Sequence, residues 1–168
     1  MASLIASAVR GTGTAVSVTR TADTNAYTAG KVIGTGTGSG GAVIKFANVR
    51  LDGGGEFMVT STELEIDDTA VISGETSYNL WLHSATPASA LGDNAAFDIS
   101  SADRATLIGK VSLGTPVDEG STLYVQSDGL NKQISLAGAD LYAYLVTVGG
   151  YTPSSARVYK VTLHGFPL

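Results

Sequence analysis

Gly36-Thr-Gly38-Ser-Gly-Gly41 has the G-x-G-x-x-G spacing that lets a backbone approach a dinucleotide pyrophosphate. That chemistry needs a strand before the glycines and a helix after them, so that phosphate meets a helix N-terminus. Ala42-Val-Ile-Lys-Phe46 follows instead, a run that reads as strand, and no Gly-Lys-Ser/Thr completes a P-loop. Residues 34–41 are therefore expected to form a mobile linker or hairpin loop. Glu63, Glu65, Asp67 and Asp68 are close enough in sequence to suggest paired-carboxylate chemistry. A glycosidase needs two carboxyl groups facing each other across a cleft, and a row along one strand face does not supply that. A solvated face is the expectation, with weak calcium binding the lesser alternative, since no EF-hand spacing occurs.

The other reactive types are scarce or unaccompanied. There is no Cys, which excludes disulfides, thiol nucleophiles and zinc–thiolate sites. His83 and His164 lie far apart and lack motif partners, and no G-x-S-x-G elbow presents a nucleophilic serine. Each histidine reads as a packing or rim residue. Seven Tyr and one Trp could build a sugar-binding platform, although strand aromatics more often serve a core or an interface. The chain thus reads as non-enzymatic, with no cofactor and no metal.

The elements that carry these residues are strands. Gly, Ser and Thr number 21, 17 and 19, a composition rich in turn and β-compatible residues that excludes helical bundles. Leu, Ile, Val and Phe still make up 42 of 168 residues, sufficient for a buried core in one domain. Alternating runs occur at 15–20, 31–33, 42–50, 56–66 and 78–83, and again at 105–113, 122–126, 132–135, 141–148 and 156–163. Ten short strands separated by turn residues predict an all-β sandwich or barrel. Within 56–66 the alternation places Met58, Leu64 and Ile66 on one face and Glu63, Glu65 and Asp67 on the other. Within 78–83 it groups Tyr78, Leu80 and Leu82. Ser100 to Asp103 is the one candidate helical turn, with serine as its cap, and residues 84–97 read as an irregular connector.

Charge is unevenly placed. Residues 1–50 hold five basic side chains and one acid, residues 51–103 hold ten acids and no Lys or Arg, and the remainder is nearly balanced. The net charge of −5 argues against nucleic acid as a partner. No apolar run approaches the roughly 18 residues of a membrane span. Met1 to Arg10 lacks the basic leader of a signal peptide and is read as part of the mature chain.

Two stretches carry a family resemblance. One is Val18-Thr-Arg-Thr-Ala-Asp-Thr-Asn-Ala-Tyr-Thr-Ala-Gly-Lys-Val-Ile-Gly34. The other runs from Leu80-Trp-Leu-His through Gly92-Asp-Asn-Ala-Ala-Phe-Asp98 and Ala102-Asp-Arg104 to Lys110. A weaker third segment spans Leu141-Tyr-Ala-Tyr-Leu145 and Tyr151-Thr-Pro-Ser-Ser-Ala-Arg157 to Leu163. Taken in that order, they resemble the capsid cement proteins of tailed bacteriophages, also called decoration or head-stabilising proteins, across roughly residues 14–165. The resemblance implies a jelly-roll-like antiparallel β-sandwich at 14–168 preceded by a short N-terminal arm at 1–13. It also implies a place on the outer surface of the virion capsid, with the major capsid protein and further copies of the chain (homodimer or homotrimer) as partners, and with neither nucleic acid nor membrane. The glycine-rich segment and the first ten residues have no counterpart in the family pattern. The candidates for capsid contact are the arm residues Leu4, Ile5, Val9 and Arg10, together with Arg20. A carbohydrate-binding virion module and a tail or baseplate structural protein are the alternative readings.

Overall fold

The computed structural model describes residues 11–51 and 53–168. Eleven strands form in these residues: β1 (Thr12–Thr19), β2 (Val32–Ile33), β3 (Ile44–Phe46), β4 (Gly55–Ile66), β5 (Tyr78–His83), β6 (Leu107–Gly114), β7 (Val117–Asp118), β8 (Leu123–Ser127), β9 (Lys132–Leu136), β10 (Leu141–Thr147) and β11 (Val158–Pro167). Strand β1 begins at Thr12, two residues ahead of the expected start of the sandwich. Ser100 to Asp103 makes a turn rather than a helix. The Asp103 N–H donates to the Ser100 carbonyl, 3.1 Å away, and Ser100 Oγ donates to the Asp103 carboxylate at 2.9 Å.

All pairing is antiparallel and falls into two sheets, ordered β1-β11-β4-β8-β7 with β9 also on β4, and β2-β10-β5-β6 with β3 also on β10. β2 and β3 pair successive parts of β10, and β8 and β9 pair successive parts of β4. Each couple thus acts as one interrupted strand. With those couples merged and β7 set aside, eight strands remain, and the sheets read 1-8-3-6 and 2-7-4-5. That is a jelly-roll sandwich, in which the chain crosses repeatedly between two stacked sheets.

The core lies between the sheets. Leu80 and Leu82 of β5, Leu141 and Leu145 of β10, Leu64 and Ile66 of β4, and Val161 and Leu163 of β11 are all buried. Tyr78, Leu80 and Leu82 share the inner face as their alternation requires. Met58 does not join Leu64 and Ile66. A register shift opposite His164/Gly165 leaves Thr60 unpaired on β4, so the inward phase is Phe57 and Val59 before it and Thr62, Leu64 and Ile66 after it. One extra residue reverses which parity faces the core, which a strict two-residue period cannot anticipate.

The second sheet is also covered on its outer face. Val32, Tyr144 and Val146 form a smaller apolar cluster with Ala42, packed against Trp81 of β5 and against Leu91 and Phe97 of the connector. Backbone bonds tie residues 94–97 to 30–32, including Val32 N–H to Ala95 O at 2.9 Å and Phe97 N–H to Gly30 O at 2.8 Å. The glycine-rich segment is held as well, contrary to the expectation of a mobile linker. Thr35 N–H donates to Gly41 O at 2.7 Å, Asp93 N–H to Gly36 O at 2.7 Å, and Ala42 N–H to Leu91 O at 3.1 Å. Glycine is needed there for close approach: a Cβ at Gly92 would stand 2.6 Å from the Thr37 and Gly38 carbonyl oxygens.

Candidate functional site

Two arginines from strand ends turn into the protein and meet carboxylates from loops. Arg20, just past β1, is only 2% exposed. Its Nε donates to the Tyr27 hydroxyl at 3.2 Å, and its Nη2 lies 2.7 Å from Asp23 Oδ1 and 3.5 Å from Asp93 Oδ2. Asp93 Oδ1 in turn accepts from the Tyr27 hydroxyl at 2.5 Å and from Gly34 N–H at 3.0 Å. Burial works against the Arg20 charge, and hydrogen bonds to Tyr27 and Asp23 outweigh it and raise its pKa. Expected at a contact surface, Arg20 instead holds together the inside of the fold. Leu4, Ile5, Val9 and Arg10, the other contact candidates, lie outside the described residues.

The second node is larger. Arg157 Nη1 and Nη2 grip the two Glu75 oxygens at 2.9 and 3.1 Å, a forked pair with both side chains fully buried. Arg157 Nε stands 3.0 Å from Asp68 Oδ2. The Tyr78 hydroxyl donates to Glu75 and lies 2.9 Å from the Tyr151 hydroxyl, which is itself 2.9 Å from that of Tyr159. Burial pushes the Tyr151 and Tyr78 hydroxyls far above the ordinary tyrosine range, so all three phenols stay protonated and act as hydrogen-bond relays. The Tyr27 and Tyr151 rings pack 5.4 Å apart and join the two nodes.

Neither node has the form of a catalytic site. Asp93 and Glu75, the buried acids of the two nodes, face arginines and phenols buried with them, and a working acid or base must reach a substrate proton. His83 is 1% exposed, with Nδ1 3.1 Å from Thr106 Oγ1 and its ring edge-on to Tyr144. Burial lowers its pKa, partly offset by Asp103, and keeps the ring neutral. It is a packing residue.

The outer face of the first sheet corrects the picture of an unrelieved acidic row. Glu65 pairs with Lys160 at 2.9 Å and Glu63 with His164 at 3.2 Å, both across β4 and β11. Lys160 stands directly opposite Glu65 in the strand register, and His164 lies diagonally from Glu63, whose register partner is Thr162. These partners lie about 100 residues away in sequence, so the charge map along the chain could not reveal them. Five of the seven tyrosines are buried, and the Trp81 ring packs 4.9 Å from Phe97 under Lys110, so the aromatics serve the interior rather than a sugar platform.

The functional features missed by pattern reading are the Glu75–Arg157–tyrosine network and the short strand β7. Tyr151 and Tyr159 bracketing Arg157 carried a signal, since polar-tipped aromatics around a cation mark a buried pair as well as a surface.

No protein-family model matches the sequence, and no curated protein matches it. Among solved structures, a chain from the capsid of Ralstonia phage GP4 aligns over 100% of this chain and 90% of its own, at 14% identity and a TM-score of 0.43. A chain from the cyanophage Pam1 capsid asymmetric unit aligns over 100% and 92%, at 15% identity and a TM-score of 0.39. A chain of the Israel acute paralysis virus pentamer aligns over 92% and 88%, at 9% identity and a TM-score of 0.30. All three likenesses are distant in sequence and in shape.

Proposed function

We propose that the protein is a structural component of a tailed-phage virion. It binds the outer surface of the capsid and stabilises the shell by cementing neighbouring capsomers of the major capsid protein. The observation that carries this reading is the meeting of the two family-like stretches at Asp93. Arg20, Tyr27 and Gly34 from the first stretch all converge on the Asp93 carboxylate of the second. The residues that carry the resemblance are thus the ones that build one buried junction, as expected when a resemblance reflects a shared framework rather than chance composition.

The architecture suits the role physically. A jelly roll with internally paired charges and a covered outer sheet is rigid. A rigid module loses little conformational freedom on docking. Binding to a repeating lattice multiplies modest interfaces through effective concentration. The arm residues Leu4, Ile5, Val9 and Arg10 are proposed as capsid contacts.

Particles assembled with and without the protein provide the test. Thermal and low-salt rupture, followed by dye access to the packaged genome, should occur earlier in particles lacking it. Equal rupture would remove the stabilising role. Gold-labelled electron microscopy of virions should place the label on the head, and label confined to the tail would assign the protein to the tail or baseplate instead.

A further inference from the structure

Between β8 and β9 the ladder along β4 has a gap. Pairing stops where Thr62 meets Ser127 and resumes where Val59 meets Lys132, so residues 128–131 stand outside it. A backbone bond from Leu130 N–H to Thr60 O, at 3.0 Å, ties the gap to β4. The four residues are Asp128-Gly129-Leu130-Asn131, and Gly129 and Asn131 both take left-handed backbone, with φ of +65° and +43°. The chain is thereby turned out of the sheet, and Asp128 and Gly129 are exposed.

This gap sets a side-chain carboxyl beside an unscreened amide nitrogen. Every other described aspartate precedes a residue with a side chain, such as Thr24 after Asp23 or Ile99 after Asp98, whose Cβ crowds the nitrogen between them. Gly129 has none, and nothing lies within 4 Å of where its Cβ would stand. Among the described residues, Gly129 N–H has no acceptor that must be given up before it reacts. The carboxyl is steadied by one oxygen. Gln126 Nε2 donates to Asp128 Oδ1 at 2.8 Å, and the Tyr124 hydroxyl fixes Gln126 by donating to its Oε1 at 2.7 Å. Neither bond engages Oδ2, the atom that has to leave.

We propose that Asp128 is a site of spontaneous isomerisation in the folded protein. Gly129 N bonds to Asp128 Cγ while the Cγ–Oδ2 bond of the carboxylic acid breaks. The departing hydroxyl takes the amide proton and leaves as water, which closes a succinimide ring. Water then adds to either ring carbonyl. Opening at Cγ restores aspartate. Opening at the Asp128 main-chain carbonyl breaks its bond to Gly129 N and leaves isoaspartate, with the chain routed through Cβ and Cγ. One water is lost and one regained, nothing is oxidised or reduced, and the mass is unchanged. The added backbone carbon falls in the gap, outside the strand pairs of β4, so the sandwich survives the conversion. The isomerised form therefore accumulates as the protein ages.

The test incubates the full chain for several weeks at physiological temperature in water enriched in oxygen-18. Trypsin then releases Val111 to Lys132 apart from the peptide that carries Asp52-Gly53, the other Asp-Gly step of the sequence. The Val111–Lys132 peptide should split into two chromatographic peaks. The new peak should carry one oxygen-18 and accept a methyl group from an isoaspartyl-specific methyltransferase. Electron-transfer fragmentation should place the isoaspartyl bond at 128 rather than 118. D128E keeps the charge but slows ring closure by its extra methylene, and it should lose the second peak while melting like the wild type. Aged and fresh wild-type protein should also melt alike. A second peak that persists in D128E, that maps to 118, or that forms only when the chain is unfolded in urea would overturn the proposal. So would its absence from the aged native protein, or an aged protein that melts lower than the fresh one.

Discussion

Arg157 and Glu75 face each other as a forked ion pair, at 2.9 and 3.1 Å, with neither side chain exposed to solvent. Two ions so placed have given up their hydration, and their mutual attraction with the surrounding phenols offsets that loss only while both are present. Removing one partner should therefore cost more than removing the pair. E75A is expected to destabilise the fold by about 3–5 kcal/mol, and the double variant E75L/R157M by much less. Urea unfolding monitored through Trp81 fluorescence measures both. A single variant no worse than the double would show that the network contributes little.

The Asp93 junction is expected to act locally. D93A removes the acceptor for Tyr27 and for Gly34 N–H, while Arg20 keeps Asp23. Loss of buried charge-assisted hydrogen bonds should cost about 2 kcal/mol or more. Amide exchange should rise in 34–42 and 91–97, which bond to each other, and remain low in β5. Uniform acceleration across the whole chain would mean that the junction supports the entire sandwich.

These two junctions mark the limit of what sequence pattern reveals. Tyr78–His83 emerges from alternation because β5 is a central strand with one face on the core, and the extra residues of its irregular pairing with β6 fall on β6 and leave its own period intact. The strands on either side of Thr60 are legible singly, but the inserted residue that flips their parity leaves no compositional trace. β7 has only two residues, too few to show any period. Arg20 looks like a surface charge until the fold brings up Asp93 from 73 positions away, and Glu75 meets Arg157 across 82. Glycine richness suggested mobility because it raises chain entropy, whereas here it permits backbone contacts that a Cβ would block.

Gly74 tests that last point. Its φ is +89°, and a Cβ would stand 2.1 Å from the Gly150 carbonyl oxygen. G74A therefore combines left-handed strain with a steric clash, and should cost about 2–4 kcal/mol. Gly120 has φ +102° but open space around it, so G120A should carry only the strain of about 1–2 kcal/mol. The difference between their chemical-denaturation stabilities isolates the close approach of the 74 and 150 turns. Equal effects would show that the turns separate freely.

The proposed role of the first ten residues gives a binding prediction. Deleting residues 1–10 should reduce occupancy on capsids and flatten its salt dependence, because Arg10 is lost with Leu4, Ile5 and Val9. Exposed charges act only within a Debye length of about 8 Å at physiological salt, so the effect requires direct contact. Densitometry of purified particles reads the occupancy. Full occupancy at all salt concentrations would move the contact to another surface.

Acid stability should fall in two separate stages. His83 is buried and its pKa lies below the ordinary 6.5, so in that window the unfolded chain binds a proton that the native chain refuses. Stability contributed by the neutral ring is complete above pH 6.5 and declines as pH drops toward the native value. Asp103 behaves likewise at lower pH. Burial alone would raise its pKa, but donation from Ser89 N–H at 3.0 Å and Ser100 Oγ at 2.9 Å outweighs this and brings it to about 2. Its contribution is therefore present above about pH 3.8 and is lost as pH falls to about 2. H83Q should flatten the urea midpoint between pH 7 and 5, and D103N should flatten it below pH 4, each leaving the other window in place. D103N should also lower the His83 pKa further, since the Asp103 charge is what raises it. A His83 ring proton whose NMR titration shifts upward in D103N would reverse the assigned electrostatics.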